Sequence, residues 1–166
     1  MLLVLAGCSA SDPSPVATTG PATVPAVDAE WSRVSQTLDR RGVADGDVYT
    51  VIIPRDDLEV RIEGMEVPTA AGVQTTFWFY RCSCGKTAVV GQFVVTDYEA
   101  NDVVYALQKE NIVVATVAPL LMYDKPRMML IRFQAEGQPE FLARALKAAL
   151  QWTGKDRMAP QKSISP

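Results

Sequence analysis

The sequence predicts a two-layer α+β sandwich, a mostly antiparallel sheet covered by about three helices. Three observations predict it. Strand-like segments rich in β-branched and aromatic residues outnumber helical ones, and two of them face each other across a short turn. The second half of the chain runs strand, helix, strand, strand, helix. Hydrophobic content of 48% and charged content of 21% are ordinary for a globular fold.

The chain opens with Leu5-Ala6-Gly7-Cys8, an apolar run, two small residues and a cysteine. A bacterial lipoprotein signal ends in this way: the small residues fit the cleavage site and the thiol receives the lipid. Cys8 is therefore the expected lipid-attachment residue, the alternative being a free cysteine near the N-terminus. A diacylglyceryl group would supply the two chains that stable anchoring takes. Residues 1–8 are shorter than a complete signal and hold no Lys or Arg, so the true start is expected upstream. Residues 9–28 carry Pro13, Pro15, Pro21 and Pro25 among Ser, Thr and Ala without apolar periodicity, as a tether does. As a flexible coil it would reach about 25 Å.

One α+β domain is expected over residues 29–154. Asp28 suits an N-cap for a helix over 29–41, with Trp31, Val34 and Leu38 at helical spacing and Gly42 closing it. Residues 47–53 read as a strand stopped by Pro54, and Arg55-Asp56-Asp57 as the turn after it. Leu58, Val60 and Ile62 alternate with charged residues, the mark of a half-buried strand. Residues 76–82 and 88–95 form the hairpin, turning at 83–86. Thr96 and Glu99 have capping-box spacing at the head of a helix that ends near Asn111. Strands follow over 112–117 and 128–133, separated by a turn at Asp124-Lys125-Pro126. Pro139 opens the last helix, with Gly154 ending it and a polar tail over 155–166.

Composition excludes several classes of function. A net charge of −3 argues against nucleic acid, which demands a basic face. With no histidine, the commonest general base and transition-metal ligand are both missing, and no Ser-His-Asp set can form. No cofactor or metal is expected.

The remaining candidates each carry a plain alternative. Arg55 and Arg127 could hold an anionic ligand, with Asp57 or Glu99 as a base; otherwise Arg55 and Asp57 form a turn ion pair and Glu99 a helix cap. Cys82 and Cys84 could form a strained disulfide, a soft metal site or a partner-linking thiol pair, or be an ordinary exported pair. The aromatic run over 77–80 could form a carbohydrate or lipid platform, or simply be core on one face.

Several stretches resemble the LppY/LpqO family of bacterial lipoproteins, a domain of unknown function. Ile53-Pro54-Arg55-Asp56-Asp57-Leu58-Glu59-Val60 is similar to its FPRxDLxV segment, and residues 91–101 (GQFVVTDYEAN) to GDLVLTEDEVN. Pro126-Arg127-Met128-Met129 resembles PRVM, and residues 137–146 the closing GxPxxLARAL helix. The likeness spans roughly 29–152 in the same order. Family members carry histidines in HNH and HxHGHG motifs, where this chain has Thr116-Val117-Ala118-Pro119-Leu120-Leu121 and Arg132-Phe133-Gln134-Ala135-Glu136-Gly137. The resemblance thus implies fold and location but not that site's chemistry. The expected function is that of a membrane-tethered extracytoplasmic lipoprotein, held in the cell membrane or outer envelope through acylated Cys8. Its domain would bind a small molecule or protein partner without catalysis. The alternative is a metal- or thiol-dependent envelope enzyme using carboxylates with Cys82 and Cys84.

Overall fold

The computed structural model describes residues 29–82 and 85–154. Cys8, the tether, the tail after Gly154, Ser83 and Cys84 lie outside the described residues. The elements are α1 (Ala29–Leu38), β1 (Val43–Asp45), β2 (Val48–Pro54), β3 (Arg61–Ile62) and β4 (Met65–Glu66), then β5 (Gln74–Arg81) and β6 (Thr87–Thr96). They continue with α2 (Asp97–Lys109), β7 (Val113–Pro119), β8 (Asp124–Lys125), β9 (Met128–Gly137) and α3 (Pro139–Leu150). Six strands pair in the order β1-β2-β5-β6-β9-β7, every pair antiparallel. The fold is the α+β sandwich that the alternation and helical spacing predict.

Period-2 alternation divides the sheet into two faces. On one face Tyr49, Val51, Phe77, Phe79, Val89, Phe93, Val95, Ile131 and Phe133 form a continuous core with the helices. Trp31, Val34 and Leu38 come from α1, Val103 and Leu107 from α2, and Leu142, Leu146 and Leu150 from α3. Each such fully buried side chain stabilises the fold by about 1.5–3 kcal/mol. Phe77, Phe93 and Phe133 meet in tilted and edge-on contacts with centroids 5.1–5.7 Å apart. Gly91 makes room for them: a Cβ there would lie 2.5 Å from Phe133 Cζ and 2.8 Å from the Thr76 carbonyl oxygen. Trp31 stacks on Tyr49 at 5.6 Å, and the Tyr49 hydroxyl accepts the Gly42 N–H at 2.8 Å.

Several sequence expectations need correction. The first helix ends at Leu38, not at 41, because Asp39 enters the left-handed region (φ 56°). Arg40 N–H then bonds the Ser35 carbonyl and Asp39 N–H that of Gln36, a Schellman closure that needs no glycine. The second concerns Leu58, Val60 and Ile62. Only Arg61–Ile62 is strand, and it joins β4 and β8 in a separate three-stranded sheet, not the main one. Glu63 and Gly64, both at positive φ, fold β3 straight back onto β4. This small sheet is a flap over one end of the main sheet's second face. Val60, Val73, Val94 and Met128 form a minor core beneath it, with Leu58, Val67, Leu120, Leu121 and Leu130 packed around them. The Asp124-Lys125-Pro126 turn is part of the flap: β8 pairs with β3, and the Lys125–Pro126 peptide bond is cis. The last strand also runs further than expected, to Gly137, because 134–137 pair with 87–90 of β6.

Candidate functional site

The expected site residues Arg55, Asp57 and Glu99 meet at one end of the sandwich. Arg55 follows β2, Asp57 lies in the turn closed by the Leu58 N–H bond to the Arg55 carbonyl, and Glu99 sits in the first turn of α2. Arg55 is 3% exposed and Glu99 1%. The guanidinium uses all five of its N–H donors. Nε and Nη2 donate to the two oxygens of Asp57, each at 2.9 Å. Nη1 and Nη2 donate to the two oxygens of Glu99 at 2.9 and 3.1 Å. The remaining Nη1 hydrogen goes to the Val94 carbonyl at 2.9 Å. Two bidentate forks on one planar cation are the strong form of this pairing.

Glu99 is saturated in the same way. Besides Arg55, its Oε2 accepts the Thr96 N–H and its Oε1 the Gly154 N–H, both at 2.8 Å. Thr96 and Glu99 thus form the expected capping box, with Glu99 on the Thr96 N–H and the buried Thr96 side chain facing the Glu99 N–H without closing a full hydrogen bond. Burial disfavours charge on both groups, but their pairing outweighs it. Burial pulls the Arg55 guanidinium down, yet the hydrogen bonds and charges of Asp57 and Glu99 hold it above its ordinary value. Burial pushes Glu99 up, yet Arg55 and the N–H groups of Gly154 and Thr96 bring it below the usual carboxylate range. A carboxylate with four acceptor positions filled and its proton affinity lowered is a poor base.

Arg127 does not join this cluster. Its side chain is exposed, and only its backbone carbonyl takes part nearby, accepting the Asp97 N–H at 3.0 Å. Sequence reasoning did not find Gly154 or the Val94 carbonyl as members of the knot. A left-handed residue after a helix (Gly154, φ 51°) was the only available signal, and an added Cβ there would press on the Asp57 carboxylate at 2.9–3.1 Å. A cleft of about 260 Å³ lies beside the knot, bordered by Arg40, Pro54, Asp56, Asp57 and Gly154. Cys82 is disulfide-bonded, and its neighbour Cys84 lies outside the described residues. Among the described residues no group of three or more Cys, Asp or Glu is placed to hold a metal, and no helix is long and apolar enough to cross a membrane.

The aromatic run divides between the two faces. Phe77 and Phe79 are buried in the core, whereas Trp78 and Tyr80 point to the opposite face and are half-buried. Beyond the flap that face has no described helix on it. Register sets out its rows: Thr50, Trp78, Val90, Gln134 and Val113 across one, and Ile52, Thr76, Gln92, Arg132 and Thr116 across the next. Ile52 is 49% exposed and Val113 57%. An open hollow of about 400 Å³ lies over Tyr80, Ala88, Val90, Val113, Gln134 and Glu136. Thr116, Arg132, Gln134 and Glu136 fall within the segments where the resembled family carries histidines. Here they present a hydroxyl, a guanidinium, an amide and a carboxylate.

No curated protein and no solved structure matches this chain significantly. One family model does, over residues 32–152, which is nearly the whole of the described part. With most of its length covered in that way, the chain belongs to the family described as Domain of Unknown Function (DUF1259).

Proposed function

We propose that this chain is a lipoprotein of the LppY/LpqO type, tethered to the cell envelope through Cys8, whose extracytoplasmic domain binds a ligand or partner and performs no catalysis. The observation that supports binding over catalysis is the saturation of the knot. Arg55 spends every donor and Glu99 every acceptor position on protein groups, so neither is free to take a substrate proton or anion. The accessible chemistry lies instead on the uncovered sheet face, where Trp78, Tyr80, Gln92, Arg132 and Gln134 present side chains to solvent. A face with aromatic anchors and a few placed polar groups is suited to recognition.

The anchor is tested by metabolic labelling with palmitate. Expressed from its expected upstream start, the protein should incorporate label and sediment with membranes, and Cys8→Ala should do neither. Label retained by Cys8→Ala would refute the anchor. The non-catalytic part fails if metal analysis of the purified protein finds a stoichiometric metal that Cys82→Ser removes.

A further inference from the structure

We propose that the uncovered sheet face binds a carboxylated oligosaccharide, with Trp78 and Tyr80 stacking on sugar rings and Arg132 holding the carboxylate; this rests on the reading of the protein as a binding domain. Arg132 is exposed and stands between Gln92 and Thr116 in register. Among the described residues it takes part in no ion pair. No carboxylate shares its row or the row beside it. Glu136, the acid further along the same strand and face, is engaged with Lys86 at 3.4 Å. Asp45, on the edge strand β1, is a second acid of this face, but it lies in the row of Tyr80 and Glu136. In its own row and the rows on either side, the positive charge of Arg132 therefore stands without a carboxylate. Flanked by an amide and a hydroxyl, it offers a carboxylate the fork it prefers.

Trp78 and Tyr80 are two residues apart on one strand, so their rings stand about 7 Å apart on the same side. Such rings present an apolar body to the C–H face of a pyranose while their N–H and O–H stay wet. Gln92 and Gln134 each offer two donors and an acceptor suited to sugar hydroxyls. Trp78 and Arg132 lie two strands and two residues apart, about 12 Å between Cα atoms. That span exceeds one sugar ring, so the ligand is an oligomer. The same features disfavour other occupants. A peptide that extends a sheet needs an edge and its backbone donors, not a face. A lipid surface needs continuous apolar area, and here polar side chains interrupt both rows.

Titration calorimetry of the full chain with trigalacturonate and with cellotriose tests this. Wild type should bind trigalacturonate more tightly than cellotriose. Arg132→Gln should weaken trigalacturonate about tenfold, with a reduced salt dependence, and leave cellotriose unchanged. Trp78→Ala should weaken both about tenfold, and Tyr80→Ser gives the same test should Trp78→Ala fail to fold. No measurable heat with either sugar, or unchanged trigalacturonate affinity in Arg132→Gln, would overturn the proposal. If these variants instead abolish association with a protein, a vesicle or a second copy while no sugar binds, the saccharide is refuted and the binding domain stands.

Discussion

Replacing Glu99 by glutamine probes the buried knot at its centre with almost no change of shape. The carboxylate accepts two bonds from Arg55 and one each from the Thr96 and Gly154 N–H groups. Whichever oxygen becomes NH₂, two of these four contacts turn into donor facing donor, and Arg55 loses one of its two counter-charges. Removing one partner of a buried pair costs about 3–5 kcal/mol. Because Asp57 still neutralises the guanidinium, the lower end applies, about 3 kcal/mol. Urea unfolding, followed by circular dichroism, should show the midpoint falling by about 1–3 M for a slope of about 1–3 kcal/mol per M. The pH dependence has a definite sign. Glu99 is lowered on folding, so its contribution is full above its unfolded value of about 4.3 and is lost as pH falls through the folded one. The gap between wild type and Glu99→Gln should therefore be widest near neutrality and close below about pH 4. Arg55, being raised, contributes fully below its unfolded value, which lies far above neutrality, and adds no slope in that range. A loss smaller than about 0.5 kcal/mol at neutral pH would refute the view that this carboxylate is the knot's centre.

Two further substitutions test the core that positions the sheet. Gly91→Ala places a methyl 2.5 Å from the Phe133 ring and 2.8 Å from a carbonyl oxygen fixed in the sheet, so it should cost about 1–3 kcal/mol in denaturant unfolding. Tyr49→Phe keeps the stack on Trp31 but removes the acceptor of the Gly42 N–H, and should cost about 1 kcal/mol by the same measurement.

The parts of the fold legible in the sequence are those whose signal is local. The hairpin of β5 and β6 shows in β-branched and aromatic runs around a short turn, and α3 in a proline at its start and a wide apolar stripe. The flap was not legible. Leu58, Val60 and Ile62 alternate as any half-buried strand would, and alternation reports two environments without saying which partner supplies them. Only the return at Glu63 and Gly64 and the distant β8 assign this stretch to a second sheet. The knot was legible in pieces. The turn pair of Arg55 with Asp57 and the helix cap of Glu99 are each local, and in the sequence they stand side by side as the plain alternative to a ligand site, with nothing that joins them. Their union spans 44 residues, and the Gly154 bond to Glu99 spans 55. No periodicity records a pairing at that range. The open face was hidden differently: the run over 77–80 reads as one aromatic block, and only strand geometry sends Phe77 and Phe79 inward and Trp78 and Tyr80 outward.

The knot and the open face are linked by position, although their chemistry is opposite. Arg55 is the residue at which the chain leaves β2 and enters the flap, and the flap closes one end of the face that holds Trp78 and Arg132. Tying Arg55 to α2 through Glu99, and to the strand β6 through the Val94 carbonyl, fixes the root of that wall. Asp57 and Glu99 then shape the proposed binding face without reaching anything that would bind there. Such a division of labour has a measurable signature. A substitution at Glu99 should lower stability strongly and alter ligand affinity only as far as the flap shifts. One at the exposed Arg132 should leave stability within about 0.5 kcal/mol and act on affinity alone. If instead Glu99→Gln abolished binding at temperatures where the domain is fully folded, the carboxylate would have to reach the ligand, and a side chain 1% exposed with four hydrogen bonds to three protein partners could do that only by opening the knot.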